Sequence, residues 1–202
     1  MLTLRSSPAT PFGRKISMSL GVLGMTEQVT VVNADTLSAT DSLREQNPLG
    51  KIPTLILEDG EPVFDSRVII EYLNDRDGRG ILIPAAGLAR MRVLRQQAVA
   101  DGLLDASILK VYEGRFRPPG HHVQKWLDHQ QGKIDRGLAF AEATLSTPRD
   151  GLPHIGEITL ACALGYMDFR FAGSWRANHP KLVAWLDHFA TRTPAYAATV
   201  PR

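Results

Sequence analysis

The sequence predicts two domains, a small α/β domain over residues 1–78 and an all-helical domain over residues 87–202, joined by a linker over residues 79–86. Strand-like and helix-like segments alternate only in the first part, whereas every long apolar pattern after it has helical spacing. The stretch between them is rich in charge, glycine and proline, as is typical of linkers. A chain of 202 residues is long enough to form both domains.

The first domain begins with a strand over residues 2–4, a helix over residues 12–23 and a second strand over residues 28–32. A strand, a helix and a second strand in this order favour parallel pairing of the two strands. A hairpin follows, because two short apolar runs flank Asp59-Gly60, a dipeptide typical of tight turns. A helix after the hairpin completes a three-layer α/β unit.

Two features beside the hairpin favour ligand binding. Pro53 lacks an N–H, so a fully paired strand cannot begin before it, and the main-chain groups of Ile52 stay available to a ligand. Asp65-Ser66 place short side-chain oxygens at the start of the next helix, where N–H groups need partners and an anion can bind. Helix capping alone is the other interpretation of this pair.

The second half contains helical patterns over residues 90–112, 123–145, 158–171 and 182–189. Residues 158–171 are apolar on nearly every side, which predicts a helix at the centre of a bundle rather than on its surface. Cys162 lies inside this segment, and we interpret it as inert packing.

Composition excludes several classes of function. Lys and Arg number 23 against 21 Asp and Glu, and the resulting net charge of +2 gives no argument for a nucleic acid or membrane partner. A single cysteine excludes an intrachain disulfide and a thiolate metal cluster, and it favours a reducing cytoplasm. The small net charge therefore favours a small-molecule ligand. No signal peptide or membrane-spanning run is recognised.

The turn between the first strand and the first helix carries three hydroxyl groups, on Ser6, Ser7 and Thr10. Thr10 stands before Pro11 and suits a helix N-cap, so capping alone is one interpretation. The other is that one of these hydroxyls hydrogen-bonds a thiolate. A helix N-terminus already favours negative sulfur, and a further donor lowers the thiol pKa.

Three motifs follow one another in the first domain: Ser7-Pro8-x-Thr10-Pro11-Phe12-x-Arg14-Lys15, Asn47-Pro48-Leu49-Gly50-Lys51-Ile52-Pro53-Thr54-Leu55, and Phe64-Asp65-Ser66-x-x-Ile69-x-x-Tyr72-Leu73. With a matching stretch at residues 156–166, the chain resembles a cytosolic glutathione S-transferase over essentially its whole length. It is most similar to the bacterial serine-type and beta-like members. The resemblance implies a thioredoxin-like first domain, a helical second domain and glutathione as co-substrate, with no metal.

The resemblance also implies roles for single residues. Ile52 would pair its main chain with the cysteinyl part of glutathione, and Pro53 would be a cis proline. Ser66 would hold the γ-glutamyl carboxylate and Asp65 would approach the ammonium group, while Lys51 would approach the glycyl carboxylate.

Ser7 and Thr10 are the predicted catalytic residues, since one of them would hydrogen-bond the glutathione thiol. Asp105 and Tyr112 are the predicted substrate-binding residues, because a cleft between the two domains would receive an apolar electrophile. Asp101 lies on the same helical stripe as Asp105. A buried capping or interdomain hydrogen bond is the alternative for both carboxylates.

The resemblance implies a homodimeric transferase that activates the glutathione thiol, but the electrophile cannot be deduced. One alternative is a glutathione-binding protein of the same fold with little transferase activity. Another is a glutathione-dependent isomerase or dehalogenase, since Arg5-Ser6-Ser7 is similar to the Ser-Ser start of maleylacetoacetate isomerases, although their Cys-containing continuation is missing.

The chain departs from the family pattern in two places. Thr10 stands where some members have a catalytic cysteine, so disulfide reduction by that route is not expected. His154 replaces the hydroxyl residue expected before the central helix, so Glu157 is expected to provide only half of a capping box. The histidine-rich stretch at residues 121–129 has no acidic or thiol partner at ligand spacing, so no metal site is predicted.

Overall fold

A computed structural model describes residues 1–77, 79–145 and 151–201. The predicted end of the first domain at residue 78 and that of the second at residue 202 lie outside the described residues. Within the described ranges, no helix is both long and apolar enough to cross a membrane.

A four-stranded mixed sheet forms the centre of the first domain. Its strands are β1 (Leu2–Ser6), β2 (Val29–Asn33), β3 (Thr54–Ile56) and β4 (Pro62–Val63), in the spatial order β2-β1-β3-β4. β1 pairs with β2 in parallel, whereas β3 pairs with β1 and with β4 in antiparallel fashion. The parallel pair and the hairpin are therefore both as predicted.

Three helices pack with this sheet: α1 (Pro11–Leu23), α2 (Leu43–Gln46) and α3 (Ser66–Asp77). α1 starts with proline and ends at Gly24, whose left-handed backbone, φ 71°, lets the chain turn back. Fully buried side chains of β1, α1 and α3 make the domain core, among them Leu4, Ile16 and Ile69. A Cβ at Gly13 would collide with the Ser6 side chain, so glycine here lets α1 lie close to the end of β1.

The second half is a bundle of α4 (Gly87–Phe116), α5 (Gln124–Ala143), α6 (Ile155–Phe171), α7 (Pro180–Arg192) and α8 (Pro194–Ala198). Every residue from the start of α6 to Met167 is buried, as predicted for a central helix. The predicted fold class, a thioredoxin-like α/β domain followed by an all-helical domain, is confirmed.

The N-terminus of α6 corrects one expectation, because its capping box is complete. The His154 Nδ1 atom accepts a hydrogen bond from the Glu157 main-chain N–H at 3.2 Å, and the Glu157 carboxylate accepts one from the His154 N–H at 3.1 Å. An imidazole nitrogen thus replaces the usual hydroxyl oxygen. Only the half provided by Glu157 was expected from the sequence.

Candidate functional site

The turn between β1 and α1 presents two hydroxyls at a helix N-terminus. The Thr10 N–H donates to the Ser7 carbonyl at 3.2 Å, which folds the turn, and Thr10 occupies the N-cap position of α1. The Thr10 side chain forms no capping hydrogen bond, and both Ser7 and Thr10 are half-buried. Ser6 lies beneath α1 against Gly13 and is buried.

The Ile52–Pro53 peptide bond is cis, as the resemblance implies. No described residue hydrogen-bonds the main chain of Ile52, so its polar groups are free to meet a ligand. Two hydrogen bonds of 3.0 Å to the Lys51 carbonyl, from the Asn47 amide and the Thr54 hydroxyl, fix the backbone just before it. Hydrogen bonds within the loop therefore fix its backbone conformation.

Asp65 and Ser66 lie at the start of α3. The Asp65 carboxylate accepts from the Arg67 main-chain N–H at 2.9 Å, and the Asp65 carbonyl accepts from the Ile69 N–H at 3.0 Å. Ser66 is 4% exposed, and among the described residues its hydroxyl has no hydrogen-bond partner. Asp65 caps the helix, which leaves the Ser66 hydroxyl for another role.

An ion cluster that the sequence analysis did not predict joins the two domains beside this helix. The Asp101 carboxylate on α4 accepts from Lys15 Nζ of α1 at 2.8 Å and from Arg67 Nε of α3 at 3.0 Å. Lys15 and Asp101 are both fully buried, and the Asp101 hydrogen bond raises the pKa of Arg67. Asp101 thus takes the interdomain alternative and ties Arg67 of α3 to α4.

Arg67 is the residue that sequence reasoning missed, although a signal for it existed. A carboxylate on an apolar stripe of α4 is expected to have a cationic partner when it is buried. Identifying which cation of the first domain reaches it requires the folded structure.

Asp105 lies one helical turn after Asp101 on the same face of α4. Partial burial raises the pKa of the Asp105 carboxyl, as does the neighbouring Asp101 carboxylate, while Arg67, Lys15 and Lys51 oppose the rise. Asp105 of the second domain therefore lies within electrostatic range of Lys15, Lys51 and Arg67 of the first domain.

Tyr112 lies two turns beyond Asp105 on α4. It is 40% exposed, and its ring meets Phe116 edge-on with 5.1 Å between the centroids. Along α4, charged side chains near Arg67 therefore give way to aromatic ones at Tyr112 and Phe116.

Two other features lie apart from this cleft. A cavity of about 400 Å³ between α4, α5 and α6, lined among others by Arg92, Phe140 and His154, contains none of the predicted site residues. In the described part of the chain, no three potential metal-ligating side chains come together.

The site combines groups that can bind a small thiol that also carries carboxylates. Unpaired main-chain groups at Ile52 suit an extended peptide, and the N-terminus of α3 and Lys51 suit carboxylates. Hydroxyls at the start of α1 suit a thiolate.

The chain matches the models of both domains of one protein family. The glutathione S-transferase N-terminal domain matches residues 9–76, and the glutathione S-transferase C-terminal domain matches residues 124–188. An uncharacterized GST-like protein of Escherichia coli (strain K12), YibF, is 34% identical over 203 residues, which cover 99% of this chain and 98% of that protein.

Two solved structures of a glutathione transferase family member from Pseudomonas fluorescens Pf-5 match along the whole of both chains. The one with bound glutathione is 42% identical, with a TM-score of 0.91 and 100% of each chain covered. The one with bound S-(propanoic acid)-glutathione is 41% identical, with a TM-score of 0.87 and the same coverage. The chain therefore belongs to the glutathione S-transferase family.

Proposed function

We propose that this chain is a glutathione S-transferase that lowers the pKa of the glutathione thiol and directs the thiolate at an apolar electrophile. Three features of the first domain support the proposal: the free main chain of Ile52, the unpartnered Ser66 hydroxyl, and the hydroxyl-bearing turn at the start of α1. The elements that carry them are neighbours, because β1 pairs with β3 and Asp101 contacts both α1 and α3. The bound glutathione in the Pseudomonas fluorescens relative supports the proposal.

Glutathione would lie extended across the first domain. The Ile52 main chain, which precedes the cis bond to Pro53, would pair with its cysteinyl residue. Ser66 would bind the γ-glutamyl carboxylate at the N-terminus of α3, and Asp65 would approach the ammonium group. Lys51 would bind the glycyl carboxylate at the other end of the tripeptide.

Thiol activation would come from the start of α1. The N–H groups of a helix N-terminus stabilise negative charge, and a hydroxyl from Ser7 or Thr10 would donate a hydrogen bond to the sulfur. Both influences favour the thiolate over the thiol. The thiolate is the attacking species, and its position beside the cleft shortens the approach to the electrophile.

A glutathione-affinity column and a chlorodinitrobenzene assay test the proposal together. We expect retention on the column and conjugation above the uncatalysed rate. Retention without conjugation would favour the alternative of a glutathione-binding protein, and absence of retention would contradict both functions. A glutathione-dependent isomerase would be revealed by turnover of a maleyl substrate instead.

The Ser66→Ala variant tests whether the Ser66 hydroxyl binds glutathione. Loss of a hydrogen bond to a carboxylate is worth about 1.5–3 kcal/mol, so we expect glutathione affinity to fall by roughly ten- to a hundredfold. Thermal stability should change little, because the hydroxyl has no partner among the described residues. Ser38→Ala, on an exposed loop, is the matched control. A collapse of stability with affinity retained would show that Ser66 is structural.

The proposal includes a cytoplasmic homodimer. Glutathione is the principal thiol buffer of the cytoplasm, which would supply the co-substrate. The start of α4 carries exposed apolar side chains at Leu88 and Met91, which are 66% and 46% exposed. Exposed apolar groups clustered in this way favour a protein interface.

A further inference from the structure

The aromatic end of the cleft contains two arginines that the proposed glutathione site does not use. Arg115 lies on the same stripe of α4 as Asp105 and Tyr112, and Arg170 lies at the end of α6. Neither forms an ion pair with any residue that the structure describes. Two guanidinium groups without a carboxylate are therefore available at this end.

Contacts between helices bring the two arginines to the same place. α4 and α6 run side by side in the same direction, because Gly156 packs against Gln96 near their starts and Tyr166 lies within electrostatic range of Tyr112 and Arg115 further along. Tyr166 follows Gly165, which packs against Arg14 in the first turns of α1. α6 therefore runs beside α1 at the level of Tyr166.

Tyr166 is the buried member of this cluster. It is 3% exposed, and the Arg170 guanidinium lies close enough to act on its hydroxyl as a hydrogen-bond donor. The Arg170 guanidinium lies 5.7 Å from the centre of its ring. Burial raises the pKa of the Tyr166 hydroxyl, which Arg170 and Arg115 oppose only in part, so the phenol stays protonated and can donate to an anion.

Aromatic surfaces surround the charged groups. Phe116 and Phe169 are 58% and 40% exposed, and the Arg170 guanidinium lies 4.3 Å from the centre of the Phe169 ring. A planar apolar body can stack on such rings, while a charged substituent reaches the guanidinium groups.

We propose that the electrophile of this enzyme carries a carboxylate, which binds Arg115 and Arg170 beside the Tyr166 hydroxyl. The proposal rests on the function proposed above and assigns its substrate class. A carboxylate has four acceptor sites, and guanidinium and phenol donors match them in geometry and charge. An uncharged electrophile would leave these donors without a partner.

A matched pair of aryl chlorides tests the substrate class: 4-chloro-3-nitrobenzoate and its neutral amide. In both, the glutathione sulfur forms a bond to the ring carbon that carries chlorine, the carbon–chlorine bond breaks, chloride leaves with its electron pair, and the thiol proton passes to water. Catalytic efficiency is divided by the uncatalysed rate constant of each compound. We expect the wild-type protein to prefer the acid by about tenfold or more, the worth of one charge-assisted contact.

Substitutions of single residues show which side chains produce the preference for the acid over the amide. Arg115→Gln and Arg170→Gln should each remove most of it, and Tyr166→Phe should reduce it. Arg92→Gln is the matched control, since Arg92 is another arginine of α4 without an ion pair among the described residues. An acid-to-amide ratio that is unchanged in the two arginine variants would overturn the proposal.

Binding of the finished conjugates tests the pocket without turnover. We expect S-(4-carboxy-2-nitrophenyl)glutathione to bind more tightly than its carbamoyl analogue in calorimetry, with the difference lost in Arg170→Gln. If the protein turns over no electrophile yet shows this difference, the transferase proposal fails and the carboxylate pocket stands. Equal affinities for the two conjugates would contradict the proposed carboxylate pocket, even if chlorodinitrobenzene is conjugated normally.

Discussion

Ser7 and Thr10 offer two hydroxyls for one proposed hydrogen bond to sulfur. Both flank the start of α1, and neither is engaged in capping through its side chain. Removing the hydroxyl that contacts the thiolate takes away a donor to the charged form, so the pKa of bound glutathione must rise.

The pH dependence of turnover identifies the donor. In Ser7→Ala or Thr10→Ala, whichever residue contacts sulfur, the rising limb of the kcat profile should move upward by about one pH unit, the worth of one hydrogen bond to a charged group. Ser6→Ala is the matched control, since Ser6 is buried against Gly13. Profiles that coincide with the wild type for both variants would exclude both hydroxyls from thiol activation.

At this scale, the sequence predicts residues whose role depends on local geometry. Pro53 and the pair Asp65-Ser66 are recognisable because a proline and a helix start act on their own neighbours in the chain. Arg67 is not recognisable, since its partner Asp101 is 34 positions away in the sequence. The completed capping box at His154 was also missed, because imidazole nitrogen is an uncommon acceptor there.

At the scale of elements, the buried Lys15–Asp101 pair connects α1 to α4. Asp101→Ala would leave the Lys15 ammonium group buried without its counter-charge, so we expect the free energy of unfolding to fall by about 3–5 kcal/mol. The double variant Lys15→Met with Asp101→Leu should recover much of this loss, since apolar side chains can fill the same volume.

Urea unfolding measures these changes. The matched control is Glu58→Ala, which breaks the exposed ion pair between Glu58 and Arg76 and should cost far less. If Asp101→Ala proves no more destabilising than Glu58→Ala, the buried pair is not what holds α1 against α4.

Element prediction succeeded where a pattern is long or a turn is sharp. A long segment that is apolar on nearly every side revealed α6, and Asp59-Gly60 revealed the hairpin. α2 and α8 were not predicted, because helices of 4 and 5 residues are too short to display a period. The start of α4 at Gly87, before the predicted residue 90, has no capping side chain to mark it.

For the whole molecule, the exposed apolar side chains at the start of α4 bear on assembly. Leu88→Asp with Met91→Asp would place two charges in the proposed dimer interface, where desolvation opposes association. Acidic residues in the first turn of a helix are favourable to the helix itself, so the fold should survive. We expect the wild type to sediment at twice the chain mass of 22.2 kDa and the double variant at one chain mass.

The matched control is Leu37→Asp, because Leu37 is an exposed apolar residue, 54% exposed, on the loop after the edge strand β2. This variant should remain dimeric. Circular dichroism of the double variant separates loss of association from loss of folding. A wild-type protein that sediments as a monomer at micromolar concentration would contradict the dimer, and a dimer that persists in the double variant would move the interface away from α4.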